Sequence, residues 1–438
     1  MRGSPYHRLM RVAWFSPLPP VKSGIASVNA ALLPRLDAEL VIDRFADAPA
    51  QSASRVFNAH DFVWMARRAP YDLVVYQLGN ASCHDYIWAY LVAYPGLVVL
   101  HDPRLHHARA RQLLQQGRAD DYRAEFWYDH PEAERDVVEY AVAGLGGPIY
   151  YCWSMLRVVL RTARAVCVHN ARVASDLRDE FPGARVETIR LGTPALTPPT
   201  DARSRLRAEL GVGDDTTLFA MFGKITAEKR VVPILEALDI LVREGIDAHL
   251  LLAGDASGFT DLHDRVRSAR AASRVHLTGY MDDERIGASL AAADACLCLR
   301  WPTALETSAS WLQCLSASRA TVITDLAHLA DVPSAVALRV DLLDEVPSLL
   351  AAMRTLAIDR RARTELAAAG YAYWAANHTV DGMADDYRRI IPLAARLPAP
   401  RASNLPAHFV EDRAAFARSI ARTFDATVDI LAAPASPS

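Results

Sequence analysis

The sequence predicts an α/β protein built from two Rossmann-like, doubly wound units. Three observations carry that expectation. Short, continuously apolar runs recur along the chain with helical patterns between them, and apolar runs that do not alternate belong to parallel strands buried on both faces. The chain of 438 residues is longer than one hydrophobic core usually serves. The stretch 193–204, with Pro194, Pro198 and Pro199 among polar neighbours, interrupts the alternation and reads as an interdomain linker.

In the first half, a strand over 10–15 runs into a Pro/Gly loop, 17–24, and a helix over 25–36. Further strands are expected at 40–45, 73–77, 97–101, 165–169 and 186–191. Residues 104–164 read as mostly helical with a break near 144–148, too long for a simple crossover and therefore a helical insertion. The second half alternates more cleanly. Its strands are expected at 217–222, 249–253, 274–278, 295–299 and 320–324, its helices at 231–243, 262–271, 283–292 and 307–317. Beyond residue 341 the pattern is helical to about 396, where Pro398 and Pro400 end it; one more amphipathic helix is expected over 410–431. The domain reading is 1–192, linker 193–204, 205–370, returning helices 371–398, and a C-terminal helix and frayed tail 399–438.

Composition narrows the classes. With 51% hydrophobic and 23% charged residues the chain is ordinary for a soluble protein, and a net charge of −3 argues against a dedicated nucleic-acid binder. Six cysteines are spread without a C-x-x-C pair, which fits a reducing cytoplasm. Cys296 and Cys298 face one side of a strand and read as small buried side chains. The N-terminus has no apolar signal core, and no run approaches the roughly 20 apolar residues of a membrane span.

Two segments carry the chemistry. One, 223–230, follows the strand at 217–222; the other, 300–308, follows the strand at 295–299. Ligands of open parallel sheets bind at that edge. Lys224 and Lys229 can hold a diphosphate whose charge grows as a bond to it breaks, or can be solvated surface lysines. Glu306 can hydrogen-bond sugar hydroxyls, with Thr307 and Ser308 facing phosphates, or can simply favour a helix dipole. In the first half Gly24 allows close backbone approach at a helix start. His101 and Asp102 end a strand where a histidine can hold a hydroxyl proton, and Asn80 and His84 occupy another such edge; structural roles explain these residues too.

Together these features resemble a retaining glycosyltransferase of family 4, with the glycosyltransferase-B fold. The likeness runs from about residue 11 to 396 and is most specific over 222–325. Gly223-Lys224-x4-Lys229 resembles the family's phosphate motif, Leu277-Thr278-Gly279-Tyr280 the strand and loop at the base, and Pro302-Thr303-x2-Glu306 the donor-sugar motif. Ser23-Gly24-Ile25 resembles the glycine loop that meets the donor, and Val168-His169-Asn170 the last unit before the linker. The resemblance implies two domains facing a cleft, with C-terminal helices crossing back to the first. It implies that Gly24, Gly223, Lys224, Lys229, Tyr280, Glu306, Thr307 and Ser308 bind the donor, and that His101, Lys229 and Glu306 are catalytic. The resemblance further implies a nucleoside-diphosphate-sugar as co-substrate, with no cofactor and no metal, and a departing phosphate that helps to take the acceptor's proton.

One position departs from the pattern. The family motif is E-x7-E, but Gln313 stands where the second Glu would bind ribose, seven residues after Glu306 rather than eight. Gln can still hydrogen-bond ribose, as a neutral partner. Asn80, His84 and Asp102 are acceptor-side candidates, and the insertion 104–164 is expected to shape the acceptor site or touch a membrane surface at its inner face. The acceptor, a glycan, lipid-linked sugar or small metabolite, and the oligomeric state stay open. A nucleotide-sugar epimerase or hydrolase on the same fold, or a binding partner without turnover, are the alternatives.

Overall fold

The computed structural model describes residues 9–47 and 54–410; the helix expected over 410–431 lies outside them beyond Val410. The described chain forms two parallel sheets, each within its own compact unit. The first sheet holds β1 (Met10–Phe15), β2 (Leu40–Ala46), β3 (Val56–Asn58), β4 (Leu73–Leu78), β5 (Leu97–Leu100), β6 (Ala165–Val168) and β7 (Val186–Thr188), in the order β3-β2-β1-β4-β5-β6-β7. The second holds β8 (Thr217–Phe222), β9 (Ala248–Ala253), β10 (Val275–Leu277), β11 (Ala295–Cys298), β12 (Ala320–Thr324) and β13 (Leu338–Val340), in the order β10-β9-β8-β11-β12-β13.

Strand order follows from burial. The central strands β1, β4, β5, β6, β8 and β12 are wholly or almost wholly buried, as their unbroken apolar sequences require. In the first sheet the chain leaves β1 for β2 and β3, then returns to the other side of β1 at β4. In the second it leaves β8 for β9 and β10, then returns beside β8 at β11. The crevices between β1 and β4 and between β8 and β11 are therefore topological switch points, where open α/β sheets bind ligands.

The first unit comprises the described parts of Met1–Arg190, Ala304–Thr307 and Met383–Ser438; the second comprises Leu191–Thr303 and Ser308–Gly382. The sequence reading placed the second domain's end at residue 370, but the helix Arg360–Asn377 runs through it. Gly370 is a packing glycine: a Cβ there would stand 2.8 Å from Leu315 Cδ2. Nor is 193–204 all linker. Thr193 accepts a hydrogen bond from Trp374 Nε1, 2.9 Å, and a helix already begins at Ala202. The last long helix, Val380–Arg396, is held to the first sheet's unit by Tyr387 against Gln77 and by a bidentate Arg190–Asp386 pair.

The expected insertion consists of five helices, His106–Gln115, Ala119–Asp129, Arg135–Val142, Ile149–Cys152 and Arg157–Thr162, rather than one long pattern broken once. They enclose a small core of their own around Leu113, Tyr122, Phe126 and Val138. The buried Arg109–Glu125 pair crosses its first two helices, and His408 Nε2 lies 2.7 Å from the same carboxylate.

Candidate functional site

At the second switch point the two segments singled out in the sequence meet. Trp301 N donates to Glu228 O at 2.7 Å, tying the loop after β11 to the loop after β8. Arg300 N donates to Thr324 Oγ1, 2.9 Å, which anchors the same loop to β12. Lys229 ends a 3-10 turn, Ala227–Lys229, and Arg230 then takes a left-handed backbone before the helix Val231–Arg243. That kink turns the Lys229 side chain inward. Its Nζ is buried and donates to Phe222 O at 2.5 Å.

Gly223 makes room for this lysine. Its φ is +84°, and a Cβ there would come within 3.3 Å of Lys229 Nζ and 3.4 Å of Ser310 Oγ. Gly254 lets the neighbouring loop close in: a Cβ on it would be 2.0 Å from Gly223 O. Burial, followed by the positive charge of Arg300, lowers the Lys229 ammonium from 10.5 to about 7. A buried cation beside a second cation favours an anionic ligand. Lys224 is exposed and lies toward Gly258. Of the two lysines only Lys229 is buried.

Glu306 is half-buried, with Oε2 accepting from Ala304 N at 3.0 Å, after a left-handed Leu305. The helix expected from residue 307 begins at Ala309, because Ser308 is its cap and accepts from Trp311 N at 3.2 Å. Gln313 is half-buried on that helix, and Thr307 is half-buried ahead of it. Tyr280 is 57% exposed after the left-handed Gly279. Ser310 and Arg300 were not assigned from sequence. Arg300 stands in the quoted segment, whereas nothing in the sequence separates Ser310 from its serine neighbours.

At the first switch point Gly24 opens the helix Gly24–Leu36 behind the cap residue Ser23. A Cβ on Gly79 would meet Asp102 Oδ2 at 3.0 Å, Ile25 Cδ1 at 3.1 Å and His84 Nε2 at 3.4 Å, so two of the sequence's candidates, Asp102 and His84, lie against one point. Asp102 Oδ2 accepts from Asn80 N at 2.6 Å. Asn80 is a brace: its Nδ2 donates to Arg104 O, its Oδ1 accepts from Ala108 N, and its carbonyl accepts from Arg111. His84 is fully buried with Nδ1 at 2.8 Å from Gln77 O. A carbonyl only accepts, so Nδ1 holds the proton and Nε2 keeps a lone pair. Burial brings this imidazole down to about 4, leaving it neutral at pH 7. Its Nε2 makes no hydrogen bond among the described residues.

His101 is also buried and held well below the usual histidine range, by burial first and then by His169 and His84. Both its nitrogens are engaged: Nε2 with Gln77 Oε1 at 2.8 Å, Nδ1 with His169 Nε2 at 3.1 Å. With Gln77 Oε1 facing His101 Nε2 and Ile189 O facing His169 Nδ1 at 3.3 Å, a bond between His101 Nδ1 and His169 Nε2 takes one further proton or a turned Gln77 amide. His101 must exchange one of these partners before it can meet a hydroxyl.

Among the described residues no cluster of three His, Cys, Asp or Glu side chains is placed to hold a metal ion, and no helix is long and apolar enough to cross a membrane.

Comparison with solved structures defines the class: this is an α/β protein of the glycosyltransferase-B fold. Sucrose-phosphate synthase from Thermosynechococcus elongatus matches it with a TM-score of 0.61 at 14% identity, covering 88% of this chain and 98% of that one. HepE from Anabaena, solved in complex with UDP-glucose, matches with a TM-score of 0.61 at 15% identity, covering 88% and 100%. WaaG, a glycosyltransferase involved in lipopolysaccharide biosynthesis, gives 0.60 at 13%, covering 87% and 99%. More particularly, residues 202–306 match the family of glycosyl transferases group 1. Over 137 residues the chain is 33% identical to alpha-D-kanosaminyltransferase of Streptomyces kanamyceticus, a match spanning 30% of this chain and 35% of that protein.

Proposed function

We propose that the protein is a retaining glycosyltransferase of family 4 that moves a sugar from a nucleoside-diphosphate-sugar to an acceptor hydroxyl. The observation that carries this reading is the buried Lys229 at the β8/β11 switch point, held beside Gly223 with Arg300 adding positive charge. The family match over 202–306 covers that switch point, and the kanosaminyltransferase likeness and the UDP-glucose complex of HepE support the same donor class.

As the bond from the anomeric carbon to the diphosphate breaks, negative charge collects on the leaving oxygen. Lys229 and Arg300 stabilise it, with Lys224 holding the outer phosphate, so the reaction needs no divalent cation. Glu306 orients the donor sugar's hydroxyls, Gln313 bonds the ribose as a neutral partner, and Tyr280 lies along the base. The departing phosphate takes the acceptor's proton on the same face, which gives retention. On the other switch point, the partly exposed Asp102 carboxylate offers hydrogen-bond acceptors, which suits a hydroxyl-rich acceptor, with the fully buried His84 beneath that edge. His101 joins Asp102 once it releases Gln77 or His169.

A second reading, a partner that binds the donor without turnover, is favoured by Gln313 and by the engaged His101. A thermal-shift screen against nucleoside diphosphates and their sugars tests the donor reading, because a ligand of the native state raises its melting point. A selective rise with one sugar nucleotide is expected; no rise with any of them overturns it. Glycosyl transfer to an added acceptor then separates the enzyme from the non-turnover partner.

A further inference from the structure

Three of the six cysteines converge on one point of the second unit. Cys296 and Cys298 project from β11, and Cys314 comes from the helix Ala309–Ser316 packed on it. The Cys298 and Cys314 sulfurs are 3.6 Å apart, and Cys314 also bonds the Cys296 thiol. Cys296 and Cys314 are buried, while Cys298 is partly exposed. Cys298 and Cys314 both lie near enough to Lys229 to act on it electrostatically, and Arg300 follows Cys298 by two positions in the chain. A partly exposed thiol is open to an oxidant, and a second thiol in contact can resolve its oxidation product.

We propose that Cys298 and Cys314 form an oxidation site, converted to a disulfide by a peroxide-class oxidant. The Cys298 thiolate attacks one peroxide oxygen: an S–O bond forms, the O–O bond breaks, and hydroxide leaves to become water. The Cys314 sulfur then attacks the sulfenic sulfur: an S–S bond forms, the S–O bond breaks, and the second hydroxide leaves with the Cys314 proton. Two thiols lose two electrons and two protons, and one peroxide becomes two waters. Cys298 is the attacking group because Cys296 is fully buried and out of the oxidant's reach.

The bond joins strand to helix within the donor half of the site. The sulfurs close from 3.6 Å to about 2 Å. The helix that moves starts at the cap Ser308 and carries Ser310, which flanks Gly223 with Lys229. Resting on the donor reading above, this shift weakens diphosphate binding, so the oxidised protein is the low-affinity form.

The test uses the full chain. It is treated with hydrogen peroxide, quenched with N-ethylmaleimide, digested and mapped by mass spectrometry with and without reductant. The expected result is a reducible peptide pair joining Cys298 to Cys314, two hydrogens lighter than the free thiols. In Cys314→Ser, Cys298 is instead captured by dimedone as a sulfenic acid. Recovery of Cys298 and Cys314 as alkylated thiols after the exposed Cys152 has been oxidised overturns the proposal, as does a bridge from Cys296. Uridine diphosphate and other nucleoside diphosphates are then added to the reduced and oxidised forms. An equal thermal shift in both overturns the coupling to binding, whereas no shift in the reduced protein counts against the donor reading and leaves the mapped disulfide standing.

Discussion

Replacing Lys229 with Met should make the protein more stable and worse at its task. The ammonium falls from 10.5 in an exposed lysine to about 7 here, and burial is the main cause. At about 1.36 kcal/mol per tenfold, the buried charge costs on the order of 5 kcal/mol at acid pH and about 4 at pH 7. Met has similar reach and no charge; losing the bond to Phe222 O offsets about 1 kcal/mol of the gain. Lys229→Met should therefore raise the unfolding free energy at pH 7 by about 2–4 kcal/mol. The sign with pH follows from proton counts. The unfolded chain keeps the proton up to 10.5 and the folded chain only to about 7, so wild-type stability climbs with pH across that window. The Met variant lacks this climb. A bound diphosphate stabilises the ammonium, so donor binding takes up a proton above pH 7 and weakens as pH rises. Turnover in the variant should fall by about 10²–10³ with loss of a transition-state charge partner. Urea unfolding at pH 7 and pH 9, with calorimetry of UDP-glucose in two buffers of different ionisation enthalpy, reads all of this. A Met variant that is less stable than wild type at pH 7, or that keeps wild-type donor affinity and turnover, refutes the reasoning.

Gly223→Ala should lower donor affinity at least tenfold, and cost about 1–2 kcal/mol of stability through its left-handed backbone, because the new methyl crowds Lys229 Nζ and Ser310 Oγ; calorimetry and urea unfolding check it. Glu306→Gln should raise the KM for the sugar nucleotide while leaving affinity for the free nucleoside diphosphate within about twofold, since a carboxylate that orients sugar hydroxyls is not needed by the phosphates. Equal loss for both ligands would instead assign Glu306 to its bond with Ala304 N.

The central strands were readable because burial on both faces leaves an unbroken apolar run, as in Leu97–Leu100 and Thr217–Phe222. The edge strands Val56–Asn58 and Leu338–Val340 were missed for the same physical reason. Three residues at a sheet edge carry no pattern, and Arg339 in the middle of the latter bonds Asp325 and two carbonyls instead of a core. Lys224 and Lys229 could be found by their spacing after a strand, but not their unequal burial. That depends on the left-handed turn at Arg230, a conformation that a glycine would announce and an arginine does not. Ser310 reaches Gly223 only through tertiary packing. Asn80 reads in the sequence either as an acceptor-side candidate or as a turn and cap residue, and the hydrogen bonds to Arg104 O and Ala108 N use both ends of its amide, which only the packing of the inserted helix reveals.

The bond from Trp301 N to Glu228 O makes the two loops at the β8/β11 edge one mechanical part. Because a backbone amide and a backbone carbonyl form it, it survives side-chain replacement at either position. A change in loop length is different: one inserted residue on either side shifts both. Homologous recombination that exchanges one of these loops should keep this backbone bond when lengths match and lose it when they do not.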